Sequence, residues 1–236
     1  GHTVHRVASA EDAIVYLQTQ QEAQYAFDQI SGETHATIQA AGIEDSRFIR
    51  DAITDRLTAN DTGGRASWYR VFGSKADLDG DGNAAGAERS IAGVFLGSDF
   101  VQHETWRAGA VLGFDHSNIK IADRSSSGEA TDVHLAAYVG TIKPTGWGAR
   151  AGAAYTHRDV ETRRHVAFTG FDETISADYG GHIAQVFGDV GDRYAHENWT
   201  VEPFASAAGV NADMDTTKEH GGAAALELPG KATQVS

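Results

Sequence analysis

From Gly64 onward the apolar residues recur at every second position, and this period constrains the fold more than any other feature of the chain. Trp106, Ala108, Ala110, Leu112 and Phe114 alternate with Arg107, Gly109, Val111, Gly113 and Asp115. Trp147, Ala149, Ala151, Ala153 and Tyr155 alternate in the same way with Gly148, Arg150, Gly152, Ala154 and Thr156. Successive side chains of a strand point to opposite faces, so each segment has one apolar face ending in aromatics and one charged, glycine-rich face. The inward face of an ordinary sandwich carries large aliphatics. Here the charged face can line a polar lumen and leave the apolar face to lipid.

Strands are expected at Ser67 to Lys75, Arg89 to Phe100, Thr105 to Ile119, Ala130 to Ile142, Trp147 to Val160, Ile175 to Val190 and Trp199 to Ala212. Their connections alternate. Ala76 to Glu88, Lys120 to Glu129, Glu161 to Thr174 and Asp213 to Leu228 are long and polar, whereas Val101 to Glu104, Lys143 to Gly146 and Gly191 to Asn198 are short. Consecutive antiparallel strands so joined carry all their long loops on one side, as outer-membrane barrels do. Each strand has about the 9 to 11 residues that a tilted membrane strand needs.

Before Gly64 the period is helical. Ser9-Ala10-Glu11-Asp12 fits a capping box, no proline follows up to Leu57, and Gly32 and Gly42 are expected to divide the helical stretch. Its last piece, Glu44 to Leu57, sets Ile49, Ile53 and Leu57 on one narrow stripe amid charged residues. A solvated surface helix and a helix in a wet, polar cavity both meet this description.

Composition excludes several classes. Acidic residues number 33 against 19 basic ones, a net charge of -14, which opposes nucleic-acid binding. No apolar run approaches the roughly 20 residues of a membrane helix. There are 27 glycines but only 3 prolines, as suits strands that bend or pack closely rather than a disordered linker. The absence of cysteine removes disulfides and thiolate metal sites. The opening Gly-His-Thr-Val has neither a basic nor an apolar signal region, so a secreted reading requires a longer parent protein.

Motifs for chemistry are weak. Asp77 to Gly82 with Glu88 fits the EF-hand spacing, but the flanks read as strands, Ala84 occupies the position of a larger aliphatic, and a tight Asp/Gly turn uses the same residues. No metal is assigned. The 11 histidines are scattered, with no zinc or nucleophile motif among them. Asp115-His116 resembles the rim Asp and His of outer-membrane barrel proteases, yet no acidic pair stands opposite.

A set of ordered segments is more specific. Ala26 to Ala36, Glu44 to Phe48 and Asp55 to Leu57 are followed by Asp79 to Gly86, Trp106 to Gly109, Gly152 to Thr156, Ala177 to Tyr179, Ala184 to Gly188, Val201 to Ala205 and Gly221 to Leu226. In this order they resemble the linker and translocator domain of type V secretion autotransporters. The resemblance implies an all-β fold with an N-terminal helical segment: a transmembrane antiparallel up-and-down β-barrel of about twelve strands, with a helix through its lumen. About seven strands are complete here, and Ala232 to Ser236 looks like the opening of an eighth. Residues 1–63 are then the helical linker, and residues 64–236 the outer-membrane barrel, truncated at its C-terminus.

By the same resemblance, Glu44 to Leu57 is the lumen helix, with Arg47, Arg50, Arg107, Asp115, Arg150 and Asp189 facing across the lumen. The implied partners are outer-membrane lipid of a Gram-negative bacterium, an upstream passenger domain, periplasmic chaperones and the barrel assembly machinery. No cofactor and no catalysis are implied. Some members cut themselves at an Asn of the lumen helix, but no Asn precedes Asn60 here, so such cleavage is not expected. The competing readings are a soluble all-β binding module and a calcium-dependent adhesion module.

Overall fold

The computed structural model describes residues 33–59, 66–78, 86–121, 125–143, 145–168, 171–222, 225–228 and 230–235. Two helices come first, α1 (Glu33–Asp45) and α2 (Arg47–Thr58). The strands are β1 (Ser67–Leu78), β2 (Ala87–Gln102), β3 (Trp106–Ile121), β4 (Ser126–Thr141), β5 (Gly146–Phe168), β6 (Phe171–His196), β7 (Trp199–Val201), β8 (Phe204–Met214), β9 (Thr217–Lys218), β10 (Glu227–Leu228) and β11 (Lys231–Val235). The main sheet runs in the order β1-β2-β3-β4-β5-β6-β8-β11, with β7 added to the end of β6 and β9 paired separately with β10. Every pairing is antiparallel. Among the described residues β1 and β11 do not pair with each other, and the sheet stays open.

The period of two sets the faces. In β3 and β4 nearly every second residue is buried. Trp106, Leu112, Phe114, Leu135, Trp147 and Tyr155 stand exposed on the other face. The inner residues of β2, β3, β4 and β5 pack on one side of α2 with Ile49, Ala52, Ile53 and Leu57. Those of β2 to β6 join Ile38 and Ala41 of α1. A sheet whose strands all reach the same helices must curl around them, so the core lies between helix and inner face. Glycine permits the closest approach. At Gly42 a Cβ would collide with the Arg158 guanidinium, so α1 lies against that side chain only because position 42 has none.

The structure departs from the expected elements in three respects. Gly42 does not interrupt α1; the break comes at Ser46, so the expected helix from Glu44 to Leu57 is divided. Gly32 and the capping box at Ser9 lie outside the described residues. Two of the connections expected to be long loops, Lys120 to Glu129 and Glu161 to Thr174, are strand over most of their described residues. The β5–β6 ladder continues to Phe168↔Phe171, and β3 pairs with β4 as far as Ile121↔Ser126, because the alternation persists in the polar residues beyond the apolar belt. The single strand expected from Trp199 to Ala212 is divided into β7 and β8 at Glu202-Pro203. Proline lacks the donor that a ladder needs, and Pro203 contributes only its carbonyl, which accepts from Asp192 N at 3.1 Å.

Candidate functional site

The site is the cradle that the inner face makes for α1 and α2. At the end where the β5–β6 hairpin projects, His35 of α1 places Nδ1 3.0 Å from the Tyr179 hydroxyl and Nε2 3.0 Å from Glu219 Oε1. One level in, Arg158 of β5 donates Nε to both oxygens of Asp132, at 2.8 and 3.1 Å, and Nη1 to the Ile38 carbonyl at 3.4 Å. Arg89 of β2 donates to the Ala41 carbonyl at 3.1 Å and to Glu44 Oε2 at 2.8 Å, and also pairs with Asp45. The Arg89 contacts lie at the C-terminal turn of α1, where the helix dipole favours a cation.

The break between the helices is held from β6. Gln185 Nε2 donates to the Ser46 carbonyl at 3.0 Å, and its Oε1 accepts from Arg50 Nη1 at 2.6 Å. Ser46 Oγ turns back onto the Ile43 carbonyl at 2.6 Å. At the far end of α2, Arg107 Nη1 donates to the Arg56 carbonyl at 3.0 Å, capping that helix as Arg89 caps α1. Arg56 Nε lies 3.1 Å from Asp99 Oδ2, and Asp99 Oδ1 accepts from the Tyr138 hydroxyl, which accepts in turn from Trp68 Nε1 at 2.9 Å. Both Arg107 and Asp99 are fully buried.

The residues expected to face the lumen divide into four groups. Arg107 and Arg50 join helix to strand as described. Asp115 is buried on the inner face but bonds His134 Nε2 at 2.7 Å, and His134 Nδ1 meets Thr156 Oγ1 at 2.8 Å. Arg150 and Asp189 pair at 2.5 Å, and Arg150 also holds Glu202 Oε1 at 2.7 Å. Burial pushes the Glu202 carboxyl up, but the hydrogen bonds from Arg193 and Arg150 outweigh it and hold the group below its ordinary value. With Arg50, Asp51, Thr54 and Thr58 of α2 these side chains line a cavity of about 560 Å³ beside the helix. Arg47 is exposed, 3.7 Å from Glu44 and over the Phe48 ring, with its contacts on the linker itself.

Sequence reasoning did not single out Arg89, Asp99, Asp132, His134, Arg158, Gln185 or Glu219. All but Glu219 occupy inner positions of the same alternation, which could have found them. Asp115, Asp132 and His134 bring ligand-type atoms within 4.8 Å of one another. Arg158 takes both Asp132 oxygens, and Asp115 and Thr156 take both His134 nitrogens, so the ligand-type atoms of Asp132 and His134 are already engaged, while the buried Asp115 Oδ1 has no hydrogen-bond partner. Thr156 is buried and closed to any substrate. His116 points away from Asp115, to the outer face, where it meets Thr131 at 3.1 Å, so the rim pair suggested by sequence does not form. The calcium-like spacing falls on 79–85, outside the described residues, and its ends Asp77 and Glu88 are partners in the β1–β2 ladder.

An antiparallel sheet that is apolar outside, charged inside and curled around a polar helix defines a transmembrane translocator barrel. The chain belongs to the autotransporter beta-domain family, which it matches over residues 67–235. It is 31% identical over 214 residues, and 28% identical over 235, to two extracellular serine proteases of Serratia marcescens. Those alignments cover 87% and 96% of this chain but 20% and 22% of the relatives, so the chain spans about a fifth of their length. Its fold is similar to the translocator domain of autotransporter NalP from Neisseria meningitidis, with a TM-score of 0.68, 18% identity, and coverage of 85% of this chain and 68% of that one. The soluble-module readings fit the structure less well, since Tyr69 is 76% and Leu135 61% exposed on a continuous apolar face.

Proposed function

We propose that the chain forms the outer-membrane conduit and anchor for a passenger domain upstream of it, with residues 1–63 as the linker and residues 64–236 as barrel. The observation that carries this reading is the direction of the linker. Starting beside the projecting β5–β6 hairpin at His35, it descends past Ser46 to the short-turn side at Arg56, gripped at each stage from the inner face. A linker so held keeps the upstream chain at the outer mouth. In this reading lipid contacts the apolar face, chaperones and the barrel assembly machinery deliver the barrel, and the chain carries out no reaction of its own.

The test uses the full-length protein in a Gram-negative host. The expected outcome is fractionation with the outer membrane, migration on gels that changes on heating, and an upstream epitope accessible to antibody on intact cells. Recovery in the soluble fraction without detergent would overturn the proposal.

A further inference from the structure

After β8 the chain continues along the edge of β6 before it turns back to reach β11. Asp215 N donates to the Gly180 carbonyl at 3.0 Å, and Ser176 and His220 exchange both backbone bonds, at 2.9 and 2.8 Å. This zips the segment along the projecting half of β6 and turns Glu219 inward, where its side chain is 1% exposed. Burying a carboxylate is costly unless its lone pairs are filled. Here they are filled from three elements. Arg164 of β5 donates Nε to Oε1 at 2.9 Å and Nη2 to Oε2 at 2.5 Å, Leu226 N of the same returning segment donates to Oε2 at 2.9 Å, and His35 of the linker donates to Oε1 at 3.0 Å. A carboxylate only accepts, so His35 Nε2 carries the proton and, in the neutral ring, Nδ1 is left to accept from Tyr179.

Only one of these donors belongs to the linker. The Arg164 and Leu226 contacts lie within the barrel part of the chain and need no linker to form. Further along α1, Arg158 and Arg89 hold the Ile38 and Ala41 carbonyls and Arg158 packs on Gly42, so the His35–Glu219 contact is the one that fixes the outer end of the helix. A slip of one helical turn carries His35 about 5.4 Å from Glu219. We propose that Glu219 with Arg164 is a preformed latch, completed by His35 when the linker reaches its final depth, that locks α1 at the outer mouth. His35 and Glu219 are then positioning residues for the end of passenger transit. The proposal rests on the translocator reading.

The experiment displays the full-length protein on cells and follows the rate at which added proteinase K cuts within residues 33–45. Surface display of the passenger and heat-modifiable migration of the barrel serve as controls. Glu219→Ala and His35→Ala are each expected to raise the rate at least about tenfold, through local opening of α1. The double variant should be no faster than either single one, and His35→Gln, which keeps a side-chain donor, should restore protection in part. An unchanged rate in His35→Ala with the barrel assembled overturns the latch, and this variant decides alone if Glu219→Ala fails to assemble. A wild-type protein whose passenger never reaches the surface would instead overturn the translocator reading, and the latch with it.

Discussion

Asp99 gathers three partners from three elements: Arg56 of α2, Arg107 of β3 and Tyr138 of β4. Removing one partner of a buried ionic network leaves the others uncompensated, at a cost of roughly 3–5 kcal/mol. Asp99→Ala is therefore expected to destabilise the folded barrel by about that amount, read from the urea midpoint for loss of the fast-migrating band. Glu219 carries a pH signature. Burial pushes its carboxyl up, but the hydrogen bonds from His35, Arg164 and Leu226 N pull it down from 4.5 to about 2. A depressed acid contributes stability that is fully present above its unfolded pKa and lost as pH falls through its folded one. Linker protection should thus persist at pH 5 and decline between 4.5 and about 2, whereas Glu219→Gln should abolish that dependence over the same window. The parity of Arg107 and Asp115 along β3 was legible in sequence. The meeting of Glu219 with His35 was not, because 184 residues separate them and only the folded path joins them.

At the scale of elements, the linker shows propensity yielding to packing. Glycine is a poor residue for a helix interior, and Gly→Ala in an exposed helix gains roughly 1 kcal/mol. Position 42 is buried against the Arg158 guanidinium, which Asp132 holds in place. Gly42→Ala is therefore expected to destabilise by about 1–3 kcal/mol, through overpacking. The sign separates the two effects in a thermal melt of the detergent-folded protein. The same reasoning explains why the expected break at Gly42 falls at Ser46 instead, where Gln185 and Arg50 supply partners to the interrupted backbone and hydroxyl. Strand lengths were underestimated for a related reason. Thr162, Arg164 and Val166 are buried on the inner face of β5 beyond its apolar belt, so the ladder continues where hydropathy no longer marks it.

At the scale of the molecule, the outer face decides between membrane and water. Leu112, Leu135 and Val186 are 55%, 61% and 63% exposed, and the chain has no cysteine to confuse a labelling experiment. Leu112→Cys, Leu135→Cys and Val186→Cys are each expected to resist a water-soluble maleimide in intact membranes and to react after unfolding. Rapid reaction in the membrane would place this face in water. The two periods of the sequence by themselves determined the all-β class, which residues of a strand point to each side, and the polar helical segment that precedes the strands. A period of two is a local property of the backbone, readable wherever a strand separates two unlike environments. The partners across the cradle, the break at Ser46, the Gly42 contact and the returning segment with Glu219 were decided only by tertiary structure. Each depends on which distant residues the curled sheet brings within about 3 Å, and no local pattern carries that distance.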